Sequence, residues 1–97
     1  MNDDDKKMTT KAVAMRYQPE RDQAPRVVAK GSGFIAEQIL STAKTHQVPI
    51  LKNSVLLNAL MSVELQQEIP PALYQAVAEI LAYVYSLDKS VGRRRGS

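Results

Sequence analysis

Two stretches near the start of the chain have the hydrophobic pattern of β-strands. From residue 12 to 17, larger apolar side chains alternate with small or charged ones, which predicts a strand with one better buried face. Residues 26–30 form a β-branched run that is closed by the sequence Gly-Ser-Gly at 31–33, and this predicts a second strand. Residues 18–25 begin and end close to prolines, so they read as a loop.

A helix is predicted directly after the second strand. Ile35, Ile39 and Ala43 recur at helical spacing, and Ser32 is placed to act as the N-cap. Residues 48–51, Val-Pro-Ile-Leu, then predict a third strand, whose proline favours a sheet edge or a strand start. A strand, a helix and a strand in this order form a right-handed crossover unit with parallel strands.

Two more helices complete the predicted fold. Asn53 or Ser54 can cap a short helix through Met61, and a last helix covers about residues 71–87 after a proline pair. The last helix is apolar around most of its circumference except for one polar stripe, formed by Gln75, Glu79, Ala82 and Ser86. It is therefore either wedged between two layers or in contact with a partner. The fold class is α/β: a small mixed sheet of about three strands with a βαβ crossover, and about three helices.

The net charge of +3 comes from the last residues of the chain and not from the predicted domain. Lys89 and Arg93, Arg94 and Arg95, less Asp88, account for the whole excess, and residues 1–87 carry as many acidic as basic side chains. A nucleic-acid surface needs cations clustered on the folded face, so we expect no specific nucleic-acid binding. We expect a disordered lead-in at 1–9, one domain at 10–88 and a basic flexible tail at 89–97 that touches anionic lipid weakly at most.

Candidate chemistry is sparse. The chain has no cysteine and one histidine, His46, so we expect no disulfide, no metal site and no cofactor. No catalytic set is recognisable around any serine or carboxylate. With neither a signal peptide nor a long apolar segment in the sequence, we expect a cytoplasmic monomer. What remains is apolar surface, at a corner formed by Ala24 and Pro25 and around Ala78 and Leu81 on the last helix.

The order of several segments resembles the cytoplasmic C-terminal domain of the FlhB/YscU family of type III secretion switch proteins. The segments that carry this resemblance lie between about residues 9 and 88, and they are Ala-Val-Ala-Met-Arg-Tyr at 12–17, Ala-Pro-Arg-Val-Val-Ala-Lys-Gly at 24–31, Val-Pro-Ile at 48–50, residues 56–60, Gln-Glu-Ile-Pro at 67–70, and residues 73–85. The resemblance implies a domain of the FlhB cytoplasmic type.

In that family the domain follows a membrane region and cuts itself at an Asn-Pro-Thr-His turn, where the asparagine side chain attacks its own backbone. The aligned positions here are Lys7, Met8, Thr9 and Thr10, of which only Thr9 matches. Lysine has no side-chain amide that could cyclise, so we expect no self-cleavage. The chain is similar to short stand-alone FlhB-like proteins without the membrane region, although a self-cleaving or hydrolytic protein remains an alternative.

The resemblance also implies a role and partners. It implies a non-catalytic protein-binding module of the flagellar export apparatus, at or near the inner-membrane export gate, that contributes to substrate recognition or specificity switching. Its expected partners are rod- and hook-type export substrates and the cytoplasmic domains of export-gate proteins, bound through Ala24, Pro25, Ala78 and Leu81. A second reading is that the chain complements a truncated FlhB relative by adding to its sheet.

Overall fold

The computed structural model describes the backbone of residues 10–96 and the side chains of residues 10–87. The elements follow in the order β1 (Lys11–Arg16), β2 (Arg26–Ser32), α1 (Phe34–Thr45), α2 (Ser54–Met61), a 3-10 turn (Pro71–Leu73) and α3 (Tyr74–Gly96). The predicted lead-in at 1–9 lies outside the described residues. The predicted tail at 89–97 overlaps α3, whose backbone is helical through Gly96.

The two strands form an antiparallel hairpin, in which Lys11 lies opposite Ser32 and Arg16 opposite Arg26. The register shifts between Ala14 and Met15, which lie opposite Ala29 and Val27, so Val28 is the extra residue of a bulge on β2. The α/β class and the three helices are confirmed, and both strands lie within a residue or two of their predicted positions.

The predicted third strand and the βαβ crossover are wrong, because the described sheet has two strands and residues 48–51 are irregular. The backbone donors of this segment explain the difference. The Val48 N–H donates to the Ala43 carbonyl at 2.8 Å and the Gln47 N–H donates to Lys44 at 3.1 Å, which is a Schellman cap at the end of α1. Pro49 has no N–H, so two successive residues have nothing to donate to a ladder.

Helices cover both faces of the hairpin. On β1, Val13 packs against the core on the side of α2 and α3, whereas its neighbour Ala14 lines a groove beneath α1. Successive side chains of a strand point to opposite faces, so the core and the groove lie on opposite sides of the sheet. The core cluster consists of Ala24, Val27, Leu56, Leu60, Ile69 and Val77.

Residues 66–69 pair with the start of β2, at Arg26 and Val27, and with Pro25 just before it. The Gln66 N–H donates to the Val27 carbonyl at 2.7 Å, and the Ile69 N–H donates to Pro25 at 2.9 Å. Arg26 and Glu68 form an isolated antiparallel bridge within this contact. This polar linker therefore extends the sheet locally beside the start of β2, and it brings Ile69 into the core.

A lysine ties the sheet to the end of α2. The Lys30 ammonium on β2 donates to the carbonyls of Met61 and Val63 at 2.8 and 2.6 Å. These carbonyls lack partners within the helix, and a cation is favourable at the carboxyl end of a helix. Asn53 closes the other end, since its side chain accepts from the Leu56 N–H at 3.0 Å, and it is one of the two residues predicted as the N-cap.

Gly31→Ala is expected to lower the free energy of unfolding by about 1–3 kcal/mol, because a Cβ at this position would lie 2.6 Å from the Cβ of Ile35 and force α1 away from β2. Gly33 differs from Gly31 in its surroundings, because its Cβ position is open. Its φ of +59°, and not a steric clash, is what favours glycine there. Urea unfolding of Gly31→Ala, of Ile35→Gly and of the double variant measures the clash, because glycine at position 35 removes the Cβ that Gly31→Ala would meet. If the double variant loses as much unfolding free energy as the two single variants lose together, the clash is not the cause.

Candidate functional site

One face of α3 carries an apolar stripe that borders the core. Tyr74, Ala78, Leu81 and Tyr85 follow one another at spacings of four, three and four residues, so they lie along one line of the helix. Tyr74 and Tyr85 are 43% and 65% exposed, Ala78 is exposed, and Leu81 is half-buried. This α3 stripe is about 16 Å long at the rise of an α-helix.

The α3 stripe lies between the core face and the polar face of the helix. Val77 and Ile80 face the core, whereas Gln75, Glu79 and Ala82 are exposed on the predicted polar side. Leu81 joins the two regions because it packs against the core cluster and keeps part of its surface exposed. An apolar strip of this kind, bordered by polar residues, is typical of a protein-contact surface.

The structure places Ala24 and Pro25 inside the molecule. Ala24 is 3% exposed and is a member of the core cluster, and Pro25 is buried. The expectation of an exposed corner at these two residues is therefore not met. Of the four residues predicted to bind a partner, Ala78 and part of Leu81 are accessible, while Ala24 lies in the cluster against which Leu81 packs.

An ion-pair cluster holds the loop that carries Ala24 and Pro25. The Arg26 guanidinium donates to Asp22 at 2.9 Å, to the Gln66 carbonyl at 2.7 Å and to Glu68 at 3.5 Å. Asp22 is 7% exposed. The hydrogen bond from Arg26 lowers the pKa of the Asp22 carboxyl below its ordinary value of 3.8, and this outweighs the opposing effect of burial; the Gln18 N–H and nearby Arg16 lower it further.

Asp22 should make the stability of the domain depend on acid pH. Its folded-state pKa is lowered, so its contribution is fully present above the unfolded value of 3.8 and is lost as the pH falls through the folded value. We expect the difference in unfolding free energy between wild type and Asp22→Asn to be constant above about pH 5 and to shrink below about pH 4. Urea unfolding across this range measures it.

The control for this experiment is Glu20→Gln, which removes an exposed carboxylate that has no ion pair in the described structure. Its difference from wild type should stay small throughout. An Asp22→Asn difference that is equally large at acid and neutral pH would show that the side chain acts by shape rather than by charge.

A groove lies beneath α1. It has a volume of about 440 Å³ and is lined by residues from both strands, from α1 and from the segment that follows α1. Ala14 and Met15 contribute from β1, Ala29 from β2, and Val48 from the segment after α1. The lining includes no Lys, Arg, Asp or Glu, and Gln38, Thr42 and His46 are its polar members.

The described residues contain no group of histidine, cysteine or carboxylate side chains that could hold a metal ion. His46 is exposed, and its Nδ1 lies 2.9 Å from the Thr42 carbonyl. Of the aligned cleavage positions, Lys7, Met8 and Thr9 lie outside the described residues. Thr10 is half-buried immediately before β1, and its carbonyl accepts from the Gly33 N–H at 2.8 Å.

The model of the FlhB HrpN YscU SpaS family matches residues 9–84, which is most of the chain. The chain belongs to this family. The matched range includes β1, β2, α1, α2 and the part of α3 that carries Tyr74, Ala78 and Leu81. The resemblance seen in the ordered segments of the sequence is thereby confirmed.

Relatives in the FlhB family differ greatly in length. The chain is 41% identical over 85 residues to the uncharacterized protein YlqH of Bacillus subtilis, covering 88% of this chain and 91% of that protein. It is 47% identical over 81 residues to the flagellar biosynthetic protein FlhB of Aquifex aeolicus, covering 82% of this chain and 23% of that protein. The chain thus spans less than a quarter of this FlhB protein.

Solved structures of the family share the fold. The cytoplasmic domain of FlhB from Shewanella putrefaciens matches with a TM-score of 0.80 and 35% identity, over 87% of this chain and 69% of that chain. The PscU C-terminal domain matches with a TM-score of 0.74 and 30% identity, over 78% and 98% of the two chains. The native SpaS C-terminal domain has a TM-score of 0.79 at 14% identity and shows likeness of fold alone.

The described part of this FlhB-family chain contains no helix with the length and apolar character needed to cross a bilayer.

Two structural features were missed at the level of sequence: the Asp22–Arg26–Glu68 cluster and the contacts of Lys30 with the end of α2. The spacing of four residues between Asp22 and Arg26 was available as a signal. The contacts of Lys30 depend on residues more than 30 positions away, so no local pattern indicates them.

Proposed function

We propose that this chain is a non-catalytic protein-binding module of the flagellar type III export apparatus that contributes to substrate recognition or to specificity switching. Membership of the FlhB family supports a role in the export apparatus, because the long relatives are flagellar biosynthetic proteins. The α3 stripe is the observation that carries the binding role, since it gives the family domain an accessible apolar surface. The proposed place is the cytoplasmic side of the export gate.

The proposed partners are rod- and hook-type export substrates and the cytoplasmic domains of export-gate proteins, bound by a monomer. A strip of four residues is much smaller than a standard interface of about 1,600 Å². Contacts of this size give weak and rapidly exchanging complexes, because the loss of rigid-body freedom offsets much of the burial. A transport gate has to release each substrate, so weak binding suits the role.

Titration of isotope-labelled protein with rod- and hook-type substrates, and with the gate proteins' cytoplasmic domains, tests this proposal. The expected result is a shift of the amide resonances around Tyr74, Ala78, Leu81 and Tyr85, with the polar face around Glu79 as the internal reference. The buried Ala24 and Pro25 should respond only through the core. If none of these proteins perturbs the α3 stripe, the binding role is wrong.

We further infer that the chain does not cut itself, because Lys7 stands where the family pattern has the asparagine nucleophile. A lysine amine cannot form the cyclic imide that an asparagine amide forms with its own backbone. Intact-mass measurement after prolonged incubation should return one unchanged mass. A specific cut close to Thr9 would instead support the alternative of a self-cleaving protein.

A second candidate function is complementation of a truncated FlhB relative. One observation favours it: within the described residues, no backbone hydrogen bond joins the outer edge of β1 to another segment. An exposed edge can accept a strand from another chain. Co-purification with a FlhB relative of the same organism that lacks its own copy of this domain tests the association.

A further inference from the structure

The loop end of the hairpin carries a cleft of about 240 Å³ whose lining is rich in arginine. The lining comes from the last residue of β1, the loop, the first residue of β2 and the linker, and it consists of Arg16, Gln18, Arg21, Asp22, Arg26 and Gln66. Three of these side chains are cationic and one is anionic, so the arginine cleft has an excess of two positive charges. Residues 1–87 are neutral as a whole, so this excess is a local concentration of charge.

Two of the arginines lie opposite each other in the hairpin. Arg16 is the partner of Arg26 in the register of the two strands. Like charges directly opposite each other on a sheet are destabilising, so an anion beside such a pair is favourable. Asp22 supplies one: the hydrogen bond from Arg26 is the main cause that lowers the pKa of the Asp22 carboxyl, and the charge of Arg16 lowers it further. The electrostatic field of the arginine cleft thus stabilises a carboxylate.

The three guanidinium groups differ in what they bind within the domain. Arg26 donates to Asp22, to the Gln66 carbonyl and to Glu68. Arg16 and Arg21 are exposed, and among the described residues neither side chain forms a hydrogen bond or an ion pair. Their donors are therefore available to a ligand, and their two charges equal the excess of the lining.

We propose that the arginine cleft binds two nearby carboxylates of an acidic segment in a partner protein, one on Arg16 and one on Arg21. A guanidinium and a carboxylate match as planar forks and form short, charge-assisted hydrogen bonds. Two carboxylates neutralise the excess charge of the lining. The cleft shares no residue with the α3 stripe, so this site goes beyond the proposed function and adds a charged contact to the apolar one.

The remaining donors favour carboxylates over a phosphate group. Phosphate sites usually use free backbone N–H groups of a loop or of a helix N-terminus. In this loop the Arg21 and Asp22 N–H groups donate to the Gln18 carbonyl at 2.9 and 2.8 Å, and the Gln18 N–H donates to the Asp22 carboxylate at 3.4 Å. Side chains alone are left to bind an anion. The Asp22 carboxylate also repels a compact double charge more than two separated single charges.

The test uses the full chain, isotope-labelled, with three probes at low ionic strength: the peptide acetyl-Glu-Gly-Glu-amide, its counterpart with two glutamines, and inorganic phosphate. Residues two apart in an extended peptide point the same way, so both glutamates can enter the cleft. The glutamate peptide should shift the Nε–Hε resonances of Arg16 and Arg21 with half-saturation below about 5 mM. Raising the ionic strength from about 20 to about 150 mM should weaken this binding at least about threefold. The glutamine peptide should have no effect.

Three variants remove one positive charge each. Arg16→Gln and Arg21→Gln remove it from the arginine cleft, and Lys44→Gln removes it from an exposed position on α1 that does not line the cleft. Each arginine variant should weaken binding of the glutamate peptide at least about fivefold, and Lys44→Gln should change it less than about twofold. All three positions are exposed, so the midpoint of urea unfolding should stay close to that of wild type.

Unshifted arginine resonances at saturating glutamate peptide, or equal weakening by Lys44→Gln and the arginine variants, would overturn the proposal. So would phosphate binding as tight as that of the glutamate peptide, because the cleft would then be a site for small oxyanions. None of these results involves the α3 stripe, so the export-substrate titration keeps its own outcome.

Discussion

Leu60→Ala is expected to lower the free energy of unfolding by about 2–5 kcal/mol. Leu60 lies on α2, is 4% exposed and belongs to the cluster that joins the hairpin to α2 and α3. Small domains have total stabilities of about 5–15 kcal/mol, so this one change removes a large part of the margin. Urea unfolding followed by circular dichroism measures the loss from the shift in midpoint at constant slope.

Leu81→Ala is the matched control for Leu60→Ala, since it removes the same atoms from a half-buried position. Part of its side chain packs against the core cluster and part is exposed on the α3 stripe. Its cost should therefore lie between about 0.5 and 2 kcal/mol, below that of Leu60→Ala. Equal losses for the two variants would place Leu81 in the core and remove it from the binding surface.

The hairpin and the helices could be predicted because their signals are local. The alternation in β1, the β-branched run in β2 and the Asn53 cap each depend on residues close together in the chain. The apolar arc of α3 was also readable, and the structure divides it into a core face and the α3 stripe. Local periodicity shows how wide such an arc is, but it does not show which part the rest of the fold covers.

The prediction of a third strand was wrong for a reason that the amino-acid composition does not reveal. Residues 48–51 are rich in β-formers, yet a strand also needs free backbone donors and a neighbour to pair with. Val48 donates to α1 and Pro49 has no donor, and the hairpin presents its open edge without a partner among the described residues. Residues 48–51 therefore have the composition of a strand, although they do not pair as one.

The position of Ala24 and Pro25 could not be predicted because it depends on a long-range contact. A loop with two prolines and several charges reads as exposed. In the structure Arg26 joins Asp22 to the linker that carries Gln66 and Glu68, and the Pro25 carbonyl accepts from Ile69. These contacts fold the linker over the loop, so a residue pair predicted as a binding corner became part of the core.

The burial of that corner concentrates the proposed recognition on α3, and this makes Ala78 the decisive position. Ala78→Arg is expected to weaken binding of rod- and hook-type substrates at least about tenfold, or about 1.4 kcal/mol, because it puts a large hydrated charge in the middle of the α3 stripe. Ala78 is exposed, so the free energy of unfolding should change by less than about 0.5 kcal/mol.

The control is Ser86→Arg, which adds the same charge to the same helix at an exposed position on its polar face. Ser86 is not three or four residues from any member of the α3 stripe, so its side chain is not a direct neighbour of the stripe. Binding measured by titration calorimetry or resonance shifts should be nearly unchanged in this variant. If Ser86→Arg weakens binding as much as Ala78→Arg does, the effect is one of net charge, and the α3 stripe is not the recognition surface. A loss confined to Ala78→Arg, with both variants fully folded, requires direct contact at the stripe, because both variants add the same charge to the same helix.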